Sequence, residues 1–94
     1  MTAEGKILCR ILVSGKVQGV GFRWSTVREA WRMDIAGYVK NLPDGRVYIE
    51  AEGTREHLEV FIAWCKKGPG VGFVDDVKVT EHPPAGYREF RIEH

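Results

Sequence analysis

The feature that most constrains the fold is a change of hydrophobic period across three closely spaced glycines. Before them, residues 7, 9, 11 and 13 are all apolar and alternate with positions that include Arg10 and Ser14, as in a half-buried strand. After them, a glycine-free run over residues 22–33 carries apolar residues at near-helical spacing. These are Val27, Ala30, Trp31 and Met33. The pattern predicts a strand, a tight loop with glycines at 15, 19 and 21, and a helix.

A hairpin follows this first unit. Residues 35–41 are extended and apolar-rich, and residues 42–45 read Leu-Pro-Asp-Gly, which is a turn sequence. In the next strand, residues 46–52, Val47, Ile49 and Ala51 alternate with polar residues that include Glu50 and Glu52. This alternation predicts one buried face and one wet face.

The second half of the chain repeats the helix and the strand. Thr54 is a candidate N-cap, and an apolar stripe from Leu58 to Cys65 predicts a helix that Gly68-Pro69 ends. Apolar residues at 73, 77 and 79 predict a fourth strand, and Phe90 and Ile92 predict a short final one.

The predicted order, βαββαβ plus a short terminal strand, fits one domain over residues 1–94. Two helices on one face of a mostly antiparallel sheet satisfy this order, and right-handed crossovers favour a ferredoxin-like α/β sandwich of the α+β class. Strand three then lies between strands one and two, so strands one and two run parallel. The glycine-rich loop and Asn41, at the end of strand two, should therefore meet at one edge of the sheet.

Charge and composition exclude several classes of function. The chain has 14 basic and 13 acidic residues without long runs, which favours neither nucleic acid nor a membrane surface as partner. No apolar stretch approaches the roughly 20 residues of a membrane span, and residues 1–6 do not resemble a signal peptide, so we expect a cytoplasmic protein. Cys9 and Cys65 form no CxxC motif and are interpreted as small buried residues, with a disulfide the minor alternative.

The loop itself has the chemistry of an anion site. Glycines at 15, 19 and 21 allow successive backbone amides to point inward, and the positive end of a helix dipole lies directly behind them. Arg23, in the first helical turn, can bind two phosphoryl oxygens at once. The loop satisfies neither the Walker A pattern nor GxGxxG. Taken alone, it could also be a simple strand-to-helix connection.

Two motifs resemble those of the acylphosphatase family. Residues 15–23, GKVQGVGFR, match the signature G-x-V-Q-G-V-x-F-R at every fixed position. Residues 37–41, GYVKN, match G-Y-V-x-N, and Gly45, Val47 and Gly53 complete that second signature. The resemblance spans essentially the whole chain and implies the same ferredoxin-like fold. With both signatures present, a simple connection no longer accounts for the sequence.

The resemblance implies hydrolysis of acyl phosphates to a carboxylate and inorganic phosphate. Arg23 and Asn41 would be the catalytic residues, Arg23 holding the phosphoryl group and Asn41 positioning water. Backbone amides of the loop would share the phosphoryl group, and its residues are Gly15, Lys16, Val17, Gln18, Gly19 and Val20. The Gln18 side chain is interpreted as a brace for the loop. We expect no metal, no cofactor, a monomeric protein, and inorganic phosphate as product and inhibitor.

Two other functions compete with this interpretation. RNA recognition motifs share the topology, but strand three carries a single aromatic residue, Tyr48, beside Glu50 and Glu52. A catalytically silent anion-binding or interaction domain of the same fold is the remaining alternative. Trp24, Trp31 and Trp64 are interpreted as packing residues. The sequence then contains no recognisable pocket for the acyl group, so we expect broad specificity.

Overall fold

The computed structural model describes residues 5–94, and its elements follow the predicted order. The elements are β1 (Lys6–Lys16), α1 (Phe22–Arg32), β2 (Ala36–Asn41), β3 (Val47–Thr54), α2 (Arg55–Lys67), β4 (Phe73–His82) and β5 (Phe90–Ile92). Residues 1–4, part of the segment read as lacking a signal peptide, lie outside the described residues. No helix in residues 5–94 has the length and apolar character needed to cross a bilayer.

The five strands form one sheet in the order β4-β1-β3-β2-β5. Strand β3 is antiparallel to both β1 and β2, so β1 and β2 run parallel as predicted, while the terminal strand β5 pairs parallel with β2. The ferredoxin-like prediction is confirmed. The end of β1, the start of α1 and Asn41 therefore lie at one edge of the sheet.

The core lies between the helices and one face of the sheet. Its central side chains are fully buried, with the exposed fraction of Ile11, Val39 and Phe61 at 0%. Cys9 and Cys65 are both buried and unpaired, which confirms their interpretation as small core residues. Burial raises the pKa of the Cys65 thiol, so it is neutral near pH 7.

Helix α2 is bounded by the predicted residues. The Thr54 side chain accepts a hydrogen bond from the backbone N–H of His57 at 3.2 Å and so caps the first turn. The helix ends at Lys67, and Gly68 follows it with a φ of 77°. Thr54 lies at the end of β3, at the opposite edge of the sheet from Asn41.

The prediction of a wet face for β3 is wrong. Glu50 and Glu52 are only 9% and 6% exposed, because the segment before β5 folds back over them. Glu52 accepts hydrogen bonds from the backbone N–H groups of Ala85 and Gly86, at 2.7 and 3.0 Å. Glu50 accepts one from the Tyr87 hydroxyl at 2.6 Å. Burial alone would raise the pKa of Glu50, but its hydrogen bonds and nearby Arg10 hold that pKa below its ordinary value.

Two of the three tryptophans also differ from their interpretation as packing residues. Trp24 and Trp31 are 59% and 60% exposed, whereas Trp64 packs against the core. The side chains that α1 buries are Phe22, Thr26, Val27 and Ala30. They occupy one side of the helix, and both exposed tryptophans fall on the other.

Candidate active site

The glycine-rich loop is shorter than predicted, because β1 continues through Lys16. Gly15 and Lys16 pair with Val74 and Phe73 of β4, beyond a register shift between Ser14 and Gly15. The chain leaves the sheet only at Val17. Gly15 and Lys16 therefore belong to the sheet rather than to the loop.

Two buried side chains fix the ends of the loop. Val17 and Phe22 are each 2% exposed and belong to the core. The Phe22 ring packs against the Trp64 ring at a centroid distance of 5.6 Å. The two ends of the loop therefore cannot shift without disturbing core packing.

The start of α1 presents uncapped backbone N–H groups. Its N-cap is Gly21, which has a φ of 78°, a conformation that other residues adopt only at a cost. No side chain within residues 5–94 accepts a hydrogen bond at this cap. The first-turn amides and the positive end of the helix dipole are therefore available to an anion.

A cavity of about 120 Å³ lies at this helix start. A space of this size can hold ordered water together with a small group such as a phosphoryl group. Its lining comes from the loop, the first turn of α1, β2 and β5. The lining residues are Val17, Gly19, Gly21, Phe22, Arg23, Trp24, Asn41 and Ile92.

Arg23 is the only charged residue among those that line the cavity. No carboxylate within residues 5–94 forms an ion pair with its guanidinium. The cavity therefore has a positive charge that nothing in this part of the chain neutralises. It contains no carboxylate, thiol or histidine, so its lining offers neither a nucleophile nor a general acid.

Asn41 supplies the polar side chain opposite the loop. Its Oδ1 is the one buried side-chain polar atom in residues 5–94 without a hydrogen-bond partner. An unpaired buried acceptor costs about 1–3 kcal/mol, so a donor placed beside it is favourable. Asn41 pairs with Val47 of β3 in the backbone ladder, which fixes the position of its Cα.

Gln18 connects these two parts of the site. Its Nε2 donates to the backbone carbonyls of Leu42 and Arg46, at 2.7 and 2.8 Å. Both acceptors belong to the turn that follows Asn41, so one side chain joins the glycine-rich loop to the end of β2. These two hydrogen bonds are the contacts expected of a side chain that braces the loop.

The structure thus brings together half of the predicted site residues. Val17, Gly19, Arg23 and Asn41 line the cavity, whereas Gly15, Lys16, Gln18 and Val20 do not. Phe22, Trp24 and Ile92 also line the cavity but are not among the predicted site residues, whereas Gly21 is one of the three glycines that the sequence interpretation placed in the anion site. Phe22 and Trp24 are neighbours of Arg23 and could have been found from it, but Ile92 lines the cavity only because β5 pairs with β2.

Comparison with known proteins identifies the family. The acylphosphatase family model matches residues 9–92. The chain belongs to the acylphosphatase family. An acylphosphatase of Trichormus variabilis is 45% identical over 87 residues, which cover 93% of this chain and 86% of that protein. The prediction made from the two signatures is confirmed.

Two solved acylphosphatase structures have the same fold. That of Bacillus subtilis superposes with a TM-score of 0.91 at 43% identity, covering 94% of this chain and 99% of that one. That of Coxiella burnetii gives a TM-score of 0.94 at 35% identity, covering 99% and 100%. Family and fold together support hydrolysis of acyl phosphates as the activity of this chain.

Proposed function

We propose that the cavity binds the phosphoryl group of an acyl phosphate and that Asn41 positions the water that attacks phosphorus. The observation that carries this proposal is that Arg23 and Asn41, from different elements, line the same small cavity. Arg23 would bind two phosphoryl oxygens, and uncapped amides at the start of α1 would bind the remaining negative charge. The contributions of all six predicted loop residues, from Gly15 to Val20, to this binding stay predictions.

The reaction that this lining suits is one with a good leaving group. A carboxylate leaves as the conjugate base of an acid with a pKa of about 4, so it needs no proton at pH 7. An ordinary phosphate ester releases an alkoxide and requires an acid or a metal ion. Because the described lining supplies no acid, we infer that the substrate is the mixed anhydride rather than the ester.

The chemical step is an in-line displacement. The water oxygen forms a bond to phosphorus while the bond from phosphorus to the carboxyl oxygen breaks, and that electron pair stays on the departing carboxylate. The neutral amide of Asn41 can orient water but cannot remove its proton, so a phosphoryl oxygen accepts it. Arg23 and the loop amides stabilise the charge on the equatorial oxygens in the transition state.

The proposed mechanism takes both side chains from one chain and assigns no step to a metal ion. No group of three or more His, Cys, Asp or Glu side chains within residues 5–94 is arranged to hold a metal. A monomeric state and a cytoplasmic location stay predictions from the sequence.

The direct test is release of inorganic phosphate from acetyl phosphate, measured in EDTA. We expect kcat/KM to fall at least about 10³-fold in Arg23→Gln and at least about 10²-fold in Asn41→Ala. Arg88→Gln, an exposed arginine away from the cavity, is the matched control and should retain full activity. Loss of wild-type activity in EDTA, or full activity in either site variant, would contradict the mechanism.

Inorganic phosphate should inhibit competitively, because it shares the phosphoryl end of the substrate. Arg23→Gln should abolish its binding in calorimetry, whereas Arg88→Gln should not. A wild-type protein that binds phosphate but hydrolyses neither acetyl nor benzoyl phosphate would instead support the silent anion-binding domain.

A further inference from the structure

A stripe of exposed side chains on α1 extends away from the cavity. Its members lie four, three and one residues apart along the helix and are Trp24, Arg28, Trp31 and Arg32. At about 100° per residue, the two tryptophans point within about 20° of each other around the helix. Both are more than half exposed, which is unusual for the largest apolar side chain. Exposed apolar patches of this kind often mark binding sites.

The stripe lines a wide, shallow groove that is open to solvent, and all of its lining residues belong to α1 or its N-cap. The groove has a volume of about 930 Å³ and is lined by Gly21, Trp24, Ser25, Arg28, Trp31 and Arg32. The two indole rings pack edge to face, with centroids 6.3 Å apart and planes at 77°. The Trp31 Nε1 donates to the backbone carbonyl of Phe90 at 3.2 Å, which holds that ring against β5. The aromatic surface is therefore fixed before any ligand arrives.

The groove lies next to the phosphate cavity, because the two share lining residues. Gly21 and Trp24 line both, whereas Asn41 lines only the cavity. In-line attack places the leaving carboxylate opposite the water, hence on the side of phosphorus away from Asn41. Because Trp24 lines both spaces and Asn41 does not line the groove, the groove is the neighbouring surface on which an acyl group could lie.

We propose that this groove is the acyl subsite and that it selects aromatic acyl groups, with Arg28 binding a carboxylate at their far end. This proposal rests on the proposed function above. A planar aromatic ring fits against the exposed indole faces. Arg28 has no ion pair with any carboxylate in residues 5–94, whereas Arg32 is held by Glu29 at 2.8 Å. This proposal differs from the expectation of broad specificity, which was based on the lack of a recognisable acyl pocket in the sequence.

The test compares kcat/KM for benzoyl phosphate with kcat/KM for acetyl phosphate, which has no ring. We expect the benzoyl-to-acetyl ratio to fall about fivefold in Trp31→Ala and to recover most of its value in Trp31→Phe. Val60→Ala, an exposed apolar residue of α2 outside the groove, should keep the wild-type ratio. A ratio that stays at the wild-type value in Trp31→Ala would overturn the subsite.

Arg28 is tested with 4-carboxybenzoyl phosphate. In Arg28→Gln, kcat/KM for this substrate should fall about tenfold relative to benzoyl phosphate, because one charge-assisted contact is lost. Lys66→Gln on α2 removes the same charge elsewhere and should leave that preference unchanged. If the ratio of kcat/KM for 4-carboxybenzoyl phosphate to that for benzoyl phosphate is the same in the wild type and in Arg28→Gln, the contact with Arg28 is refuted.

Binding measurements separate failure of the subsite from failure of the proposed function. Benzoylphosphonate and acetylphosphonate are analogues without a cleavable P–O–C bond, so calorimetry reports their binding without catalysis. We expect the Kd of benzoylphosphonate to rise about fivefold in Trp31→Ala and that of acetylphosphonate to change less than about twofold. An equal rise in Kd for the two phosphonates would refute the subsite. A rise for benzoylphosphonate alone, in a protein that hydrolyses no acyl phosphate, would refute only the proposed reaction.

Discussion

The brace made by Gln18 allows a quantitative prediction, because its two hydrogen bonds join the parts of the site. In Gln18→Ala both bonds are lost, at about 0.5–1.5 kcal/mol each. The two carbonyls keep other partners, however. The Leu42 oxygen accepts from the Gly45 N–H, and the Arg46 oxygen accepts from the Leu42 N–H. No acceptor is orphaned, so we expect the free energy of unfolding to fall by about 1–2 kcal/mol.

The same substitution should reduce activity by more than its effect on stability explains. Without the brace, the glycine-rich loop and Asn41 are joined only through the sheet and the core, and a displacement of about 1 Å can cost up to about 10²-fold in rate. We expect kcat/KM for acetyl phosphate to fall about ten- to a hundredfold. Gln18→Glu should be at least as damaging, because an ionised carboxylate has no N–H to donate and would face two carbonyl oxygens.

Urea unfolding and steady-state kinetics on the same samples provide the assay. The midpoint of Gln18→Ala should lie about 1 M below that of the wild type. Thr54→Ala is the matched control, because loss of the N-cap of α2 costs about 1 kcal/mol at the far edge of the sheet and should leave kcat/KM unchanged. An unchanged midpoint, or lower stability with wild-type activity, would refute the role of Gln18 as a brace.

Three further predictions concern the sheet and the core. Gly37→Ala should lower the free energy of unfolding by more than about 3 kcal/mol in thermal melts, because a Cβ there would overlap the Glu50 carbonyl oxygen and Gly37 has a φ of 142°. The pKa of Glu50 is lower in the folded protein than in the unfolded chain, so its ionisation stabilises the fold at any pH above the unfolded pKa. This stabilisation is lost as the pH falls through the folded pKa. The stability difference between the wild type and Glu50→Gln should therefore shrink below about pH 4 in urea titrations. Cys65 should react with a thiol reagent only after denaturation, since it is buried and its pKa is raised; rapid labelling of the native protein would contradict this.

The parts of the fold that the sequence predicts are those with a local signal. Alternation over residues 7–14, the turn at residues 42–45 and the cap at Thr54 each act within a few residues, and connection rules then give the strand order. The meeting of Arg23 and Asn41 follows from that order. The burial of Glu50 and Glu52 does not, because the groups that cover them lie more than 30 residues away at positions 85–87.

The exposure of Trp24 and Trp31 differs from the burial of the two glutamates, because the helical spacing of α1 already indicates it. The apolar character of Trp31 favours burial, but its position around the helix does not. Trp31 lies four residues after Val27 and one after Ala30, but Phe22 and Thr26 shift the centre of the buried side away from it. A projection of all eleven residues of α1 would have placed Trp24, Arg28 and Trp31 together on the solvent side.

The packing of the loop suits the catalytic role that we propose for so sparse a site. A lining with one guanidinium, one amide and backbone N–H groups can accelerate a reaction only through charge stabilisation and placement of water. Such stabilisation is effective when the dipoles are already oriented, because reorienting them during the reaction would consume the energy they supply. Here Val17 and Phe22 bury the two ends of the loop, and Gln18 ties it to the turn after Asn41. Val17, Gln18 and Phe22 therefore hold the glycine-rich loop, and Gly19 and Gly21 leave its backbone exposed where we propose that the phosphoryl group binds.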